Sequence, residues 1–139
     1  SDLSGTGSSH LLGKQGYSLV RAFDPLENIV ASFGPVQASS ESMTHGAVYG
    51  AANKARCVIH IHSPFLFTSL LAEGFPRTPE SVAYGTPALS REVARLITEE
   101  LSPSEGIFVT AGHNEGVFAY GESIASTLNL ILSLNMTKD

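Results

Sequence analysis

Short runs of β-branched and aromatic residues alternate along this chain with stretches in which apolar residues recur at helical spacing. Tyr17-Ser18-Leu19-Val20 and Ile29-Val30-Ala31-Ser32-Phe33 read as strands. Asp24-Pro25 and Glu27-Asn28 supply a turn between them, so a hairpin is expected, with Gly34-Pro35 ending it. Behind Ser39-Ser40-Glu41, the positions Met43, Ala47, Val48 and Ala51 follow a helical period, which predicts a helix over 41–54. Val58-Ile59-His60-Ile61-His62 is a further strand. Ser63-Pro64 then opens a helix whose apolar face is Phe65, Leu66, Ser69, Leu70 and Leu71, closed by Gly74. Residues 75–85 read as a Pro-rich loop or short strand. Thr86-Pro87 repeats the start signal, and Leu89, Val93, Leu96, Ile97 and Leu101 predict an amphipathic helix over 88–101. Ile107–Thr110 and Val117–Tyr120 are strands, and Ile124, Leu128, Ile131 and Leu132 mark a last helix after Gly121. Hairpin strands mixed with amphipathic helices predict an α/β domain with a largely antiparallel sheet.

Composition narrows the function more than the fold. The 139 residues suffice for one cored domain, expected over 17–139 behind a Gly/Ser-rich leader at 1–16. Apolar content of 42% places the chain among globular proteins. A net charge of −5 without a basic run argues against a nucleic-acid partner. The single cysteine, Cys57, rules out an internal disulfide and a Cys-rich zinc module, and reads as a small buried apolar residue. With no signal-peptide pattern and no apolar run long enough to span a bilayer, a cytoplasmic location away from membranes is expected.

The chemistry concentrates at His60 and His62. Alternate side chains of a strand share a face, so the two imidazoles project together, with Ile59 and Ile61 on the other face. Such a pair is half of a metal site. His113, in the Gly-flanked turn between two strands, is the preferred third ligand, and three imidazoles with an open position make a catalytic arrangement. Glu41 at the helix start has a plain alternative as a partner of the helix dipole. Ser39 and Ser40 read equally as an anion site or as helix caps. His45 shares a helix face with Glu41 and is a partner that orients a ligand, a fourth ligand or, most simply, a hydrogen-bonded structural histidine. His10 in the leader carries no assignment. Tyr84, Tyr120 and Glu115 can reach the site, but their spacing does not require it.

Ser39-Ser40-Glu41 at a helix start, then His45 and Tyr49, then His60-Ile61-His62, then Gly112-His113, resembles the class II aldolase/adducin family. Tyr84-Gly85-Thr86 and Gly121 fit the same resemblance, which covers roughly residues 17–134. The resemblance implies a three-layer α/β/α sandwich around a mostly antiparallel central sheet. It implies a divalent metal, most often zinc, on His60, His62 and His113, with Glu41 as its neighbour and acid/base. Ser39 and Ser40 match serines that hold a substrate phosphate. Homotetramers with sites at subunit interfaces are implied as well.

The implied activity is a metal-dependent aldolase-type lyase of carbohydrate metabolism. It acts on a small hydroxy-carbonyl compound, such as a sugar phosphate, through a metal-stabilised enediolate. The alternatives are an epimerase or dehydratase on the same scaffold, or a non-catalytic adducin-like binding module. Departures from the family pattern are concentrated where substrates are chosen. The N-terminal helix and the Gly-Asn phosphate loop have no counterpart, with Ser4-Gly5-Thr6-Gly7 a candidate replacement, and the segment between His62 and Tyr84 is short. Asn114-Glu115-Gly116 follows His113, and no C-terminal catalytic tyrosine can be matched. Cupins also combine His-x-His with a later histidine, but the two helices at 41–54 and 88–101 argue against a nearly all-β fold.

Overall fold

Strand alternation and helical period together determine which side of the sheet each residue faces. A computed structural model of the chain describes residues 13–136. It is α/β, with four helices and two sheets among the described residues. The hairpin β1 (Leu19–Asp24) and β2 (Ile29–Phe33) forms a two-stranded sheet. Then come α1 (Ser42–Ala51), β3 (Cys57–His62), α2 (Pro64–Ala72), β4 (Arg77–Thr78), α3 (Pro87–Glu99), β5 (Gly106–Thr110), β6 (Gly116–Gly121) and α4 (Ile124–Met136). The four-stranded sheet runs in the order β3-β6-β5-β4. It is mixed: β3/β6 and β6/β5 are antiparallel, but β4 joins β5 in parallel. The helices and the mixed sheet exclude an all-β cupin.

The apolar core divides between the two faces of this sheet. Val58, Phe108, Phe118 and Tyr120 pack with Ala47 and Val48 of α1 and with Leu89, Val93 and Leu96 of α3. On the alternate positions Ile107, Val109, Val117 and Ala119 pack with Leu66 and Leu70 of α2 and Ile131 of α4. Each fully buried Phe, Leu or Ile contributes about 1.5–3 kcal/mol relative to exposure.

Local chemistry explains most boundaries. Ser63 Oγ accepts from Leu66 N at 3.2 Å with Pro64 at the first helical position, and Thr86 Oγ1 accepts from Leu89 N at 3.3 Å ahead of Pro87. Several boundaries differ from the sequence expectation. β1 runs on to Asp24, because its Oδ1 accepts from Leu26 N and Glu27 N and so starts the turn there. α1 stops at Ala51, short of Lys54, because Ala52 turns out of the helix at ψ 85°. The apolar face assigned to α4 is corrected: Ile131 is buried, but Ile124, Leu128 and Leu132 are exposed. α4 is apolar nearly all round, so its period does not identify the buried side. Phe65, assigned to the buried face of α2, is likewise exposed. His10 and Ser4–Gly7 lie outside the described residues.

Candidate metal centre

The centre is assembled at one end of the four-stranded sheet. Val58, His60 and His62 share a face of β3, and exposure increases along them, from buried Val58 to half-buried His60 to exposed His62. In the ladder His60 stands opposite Phe118 and His62 opposite Gly116. The β5–β6 turn starts where β3 ends and carries His113. It is held by His113 N donating to Thr110 O at 2.9 Å and Gly116 N donating to His113 O at 3.0 Å.

Three nitrogens converge as a result. One ligand atom each from His60, His62 and His113 lie within 4.8 Å of one another. Nε2 of His60 and Nε2 of His62 are 3.1 Å apart. Two nitrogens on a tetrahedral zinc, each at about 2.0–2.1 Å, would be separated by roughly 3.3 Å. The residues therefore fit a divalent cation.

The tautomer of His60 fits as well. Val117 O can only accept, so the 3.2 Å contact to His60 Nδ1 puts the proton on Nδ1 and leaves Nε2 facing the centre. The His60 ring is stacked on Phe118 at 4.1 Å, and Phe118 in turn on Phe108 at 5.2 Å, which fixes its plane. Burial lowers the His60 pKa to about 4, so its imidazole is neutral near pH 7 in the metal-free chain.

Glu41 adjoins the three histidines through His113. It is the residue just before α1, and its backbone N–H donates to Ser39 Oγ at 3.2 Å. The residue is 6% exposed, and both carboxylate oxygens are buried. Oε1 stands 3.1 Å from His113 Nδ1, within ion-pair distance but not aligned as a hydrogen bond. Both Glu41 oxygens and His113 Nδ1 are buried without a hydrogen-bond partner among the described residues. Buried polar atoms seldom stay unpaired, so these mark a place where a proton, a ligand or a cation is expected.

His45, one turn further along α1, is not among the converging ligands. Its ring meets Phe118 edge-on at 5.7 Å, and burial lowers its pKa to about 4. Ser39 and Ser40 line the cleft in front of the centre, which encloses about 1200 Å³. Cys57 is half-buried on the strand flank and takes no part.

The residue that sequence reasoning left unassigned is Tyr84. Its ring stacks on His113 at 4.5 Å with 25° between the planes. A backbone approach brings it there: a Cβ on Gly112 would lie 2.1 Å from Val82 O, so only glycine lets the loop carrying Tyr84 close over the turn carrying His113. The legible signal was Gly112 itself, immediately before the histidine.

With this geometry in hand, comparison with known proteins is decisive at the level of family. The model of the class II aldolase and adducin N-terminal domain matches residues 17–137. The chain belongs to that family. Among curated proteins it is similar to alpha-adducin of Mus musculus, 28% identical over 100 residues, covering 65% of this chain and 13% of adducin. Alpha-adducin of Rattus norvegicus is 27% identical over 100 residues, with the same coverage of each chain. The chain thus spans about an eighth of the length of these relatives. No solved structure matches significantly. For a class II aldolase and adducin domain, three converging histidines beside a buried glutamate are consistent with a site able to hold a metal ion.

Proposed function

We propose that this domain is a divalent-metal-dependent lyase of the aldolase type, acting on a small hydroxy-carbonyl compound. The observation that carries the reading is the convergence of His60, His62 and His113 with the unpartnered Glu41 carboxylate on the wall of one cleft. His60, His62 and His113 would hold the cation, most simply zinc given an all-imidazole set. When bound, such a cation supplies a Lewis acid that stabilises the negative charge developing on the substrate's carbonyl and hydroxyl oxygens.

The chain's own groups supply the rest. Breaking the bond between the α- and β-carbons leaves the electron pair on the α-carbon, in conjugation with the carbonyl. The β-hydroxyl loses its proton as it becomes a carbonyl, and the α-carbon gains one. Glu41, with both oxygens free of hydrogen-bond partners among the described residues, takes up the β-hydroxyl proton as base and returns it to the α-carbon as acid. Tyr84 and Phe118 restrict the rings of His113 and His60, and the hydrogen bond from His60 Nδ1 to Val117 O adds to that restraint, so the ligand nitrogens keep their aim. Ser39 and Ser40 line the cleft where a phosphate of the substrate would lie.

The three-layer α/β/α sandwich with its mostly antiparallel central sheet belongs to the same reading, supported by apolar clusters on opposite faces of the sheet. So do a single domain over 17–139, a cytoplasmic location and a homo-oligomer, the tetramer of the family. Exposed Phe33, Ile124 and Leu132 support the oligomer. An epimerase or dehydratase would share the centre. The second reading, a non-catalytic adducin-like module, is favoured by the alpha-adducin relatives. A panel of ketose phosphates incubated with the zinc-loaded protein, with products read by NMR, separates these. Paired aldehyde and ketone products support the lyase, and an unreacted panel from a protein that retains no zinc after loading and desalting supports the module.

A further inference from the structure

Arg21 stands out in the first strand, because its neighbours Leu19, Val20, Ala22 and Phe23 are apolar. The ladder slips at this point. Val20 pairs with Ser32 and Ala22 with Ala31, which leaves Arg21 as the extra residue of a β-bulge. A bulge turns one side chain out of the regular alternation, and bulges collect beside functional sites. Arg21 lines the same cleft as Ser39, Glu41 and the three histidines, and no other Lys or Arg among the described residues does so.

The guanidinium has no acidic partner among the described residues. Its Cζ lies 5.7 Å from the centroid of the Phe33 ring. That contact steadies the side chain and leaves its N–H edges available to a ligand. Glu41, the one carboxylate among the described lining residues, is buried beside His113 and makes no ion pair with Arg21. The cleft is therefore lined by a guanidinium and a carboxylate that do not pair with each other.

The hairpin that carries Arg21 is fixed to the rest of the site at two points. Asn28 Nδ2 donates to Gly85 O at 3.0 Å, beside Tyr84. The Phe23 ring occupies the space over Gly46 of α1, where a Cβ would lie 2.7 Å from it.

We infer that Arg21 anchors an oxyanion of the substrate, a phosphate ester or a carboxylate, in the cleft whose other charged wall is Glu41 beside His113. The inference rests on the reading of this cleft as a substrate site and narrows the substrate class to anionic hydroxy-carbonyl compounds. A guanidinium presents parallel N–H donors that match either oxyanion, and the charge makes each hydrogen bond stronger than a neutral one.

The test is an NMR titration of the full chain with inorganic phosphate and, separately, malonate, following Arg21 Nε–H and the Ser39 and Ser40 amides. At least one anion should shift these signals saturably. Arg21→Gln should weaken that Kd about ten- to a hundredfold, and Arg21→Lys should recover part of the loss. A response to phosphate alone assigns a phosphate ester, and a response to malonate alone a carboxylate. No saturable shift with either anion, or an unchanged Kd in Arg21→Gln, overturns the inference. Acetohydroxamic acid, a metal chelator that carries neither a phosphate nor a carboxylate, is titrated into the zinc-loaded chain in parallel. Failure to bind the native chain contradicts the proposed metal chemistry, while the anion constants still decide Arg21. Equal weakening of hydroxamate and anion in Arg21→Gln would expose a general disruption and overturn the inference.

Discussion

Glu41 and His113 meet at 3.1 Å in a place where neither the carboxylate oxygens nor His113 Nδ1 has a hydrogen-bond partner among the described residues, and that pairing governs the residue-scale expectations. Glu41→Gln keeps the shape and removes the base. Turnover should fall about 10²- to 10⁴-fold while zinc affinity stays within a few-fold, measured by product assay and by calorimetry on the same preparation. Unchanged turnover would sink the role given to Glu41. A second expectation concerns His45, whose pKa burial holds at about 4 against 6.5 when unfolded. Between those values the unfolded chain binds the extra proton, so the His45 contribution to the stability of the metal-free chain is complete above about pH 6.5 and is lost as pH falls toward 4. The slope is at most about 1.4 kcal/mol per pH unit from this group. Urea midpoints between pH 7 and pH 5 should fall less steeply in His45→Phe. At this scale the sequence was most informative: alternation alone placed His60 and His62 together. Arg21 was not legible as a site residue, and Tyr84 was read only as able to reach the site, because a bulge depends on ladder register and a ring stack on a loop approach, neither of which is a local pattern.

The elements hold the site through close approaches more than through hydrogen bonds. Gly112 admits the loop that carries Tyr84, and Gly46 admits the Phe23 ring of the hairpin. Gly112→Ala places a methyl group against backbone that cannot rotate away. It should cost about 1–3 kcal/mol in urea denaturation and should also weaken zinc binding, because the turn carrying His113 must shift. Zinc affinity equal to that of the native chain would show that the turn is not coupled to this loop. Phe118→Ala should cost about 3–5 kcal/mol, since it empties the space between His60 and Phe108. Helix starts were readable because Ser63-Pro64 and Thr86-Pro87 are local signals. The buried side of α4 was not, since a helix apolar on most sides contains no information about which side meets the sheet. β4 falls within 75–85, where a loop or short strand was expected, but its parallel pairing was hidden: a two-residue strand has no period to read.

At the scale of the molecule, the fold brings together groups far apart in the chain. Glu41 from the start of α1, the pair on β3 and His113 from the β5–β6 turn meet in a cleft that the β1–β2 hairpin also lines. No helix of the described residues is long and apolar enough to cross a membrane. Family membership places this assembly among class II aldolase and adducin domains, and the metal separates its two readings. A cation that binds only the folded chain should also raise its stability by about 2.7 kcal/mol at a hundredfold excess over Kd, visible as a higher Tm that a chelator reverses. The most direct measurement is calorimetric titration of zinc into the chelator-treated chain, native and with His60, His62 and His113 all replaced by alanine. One zinc per native chain and none in the triple variant is the result expected. Absence of stoichiometric binding in the native chain, or equal binding in both, would contradict the assignment of this cleft as a metal centre.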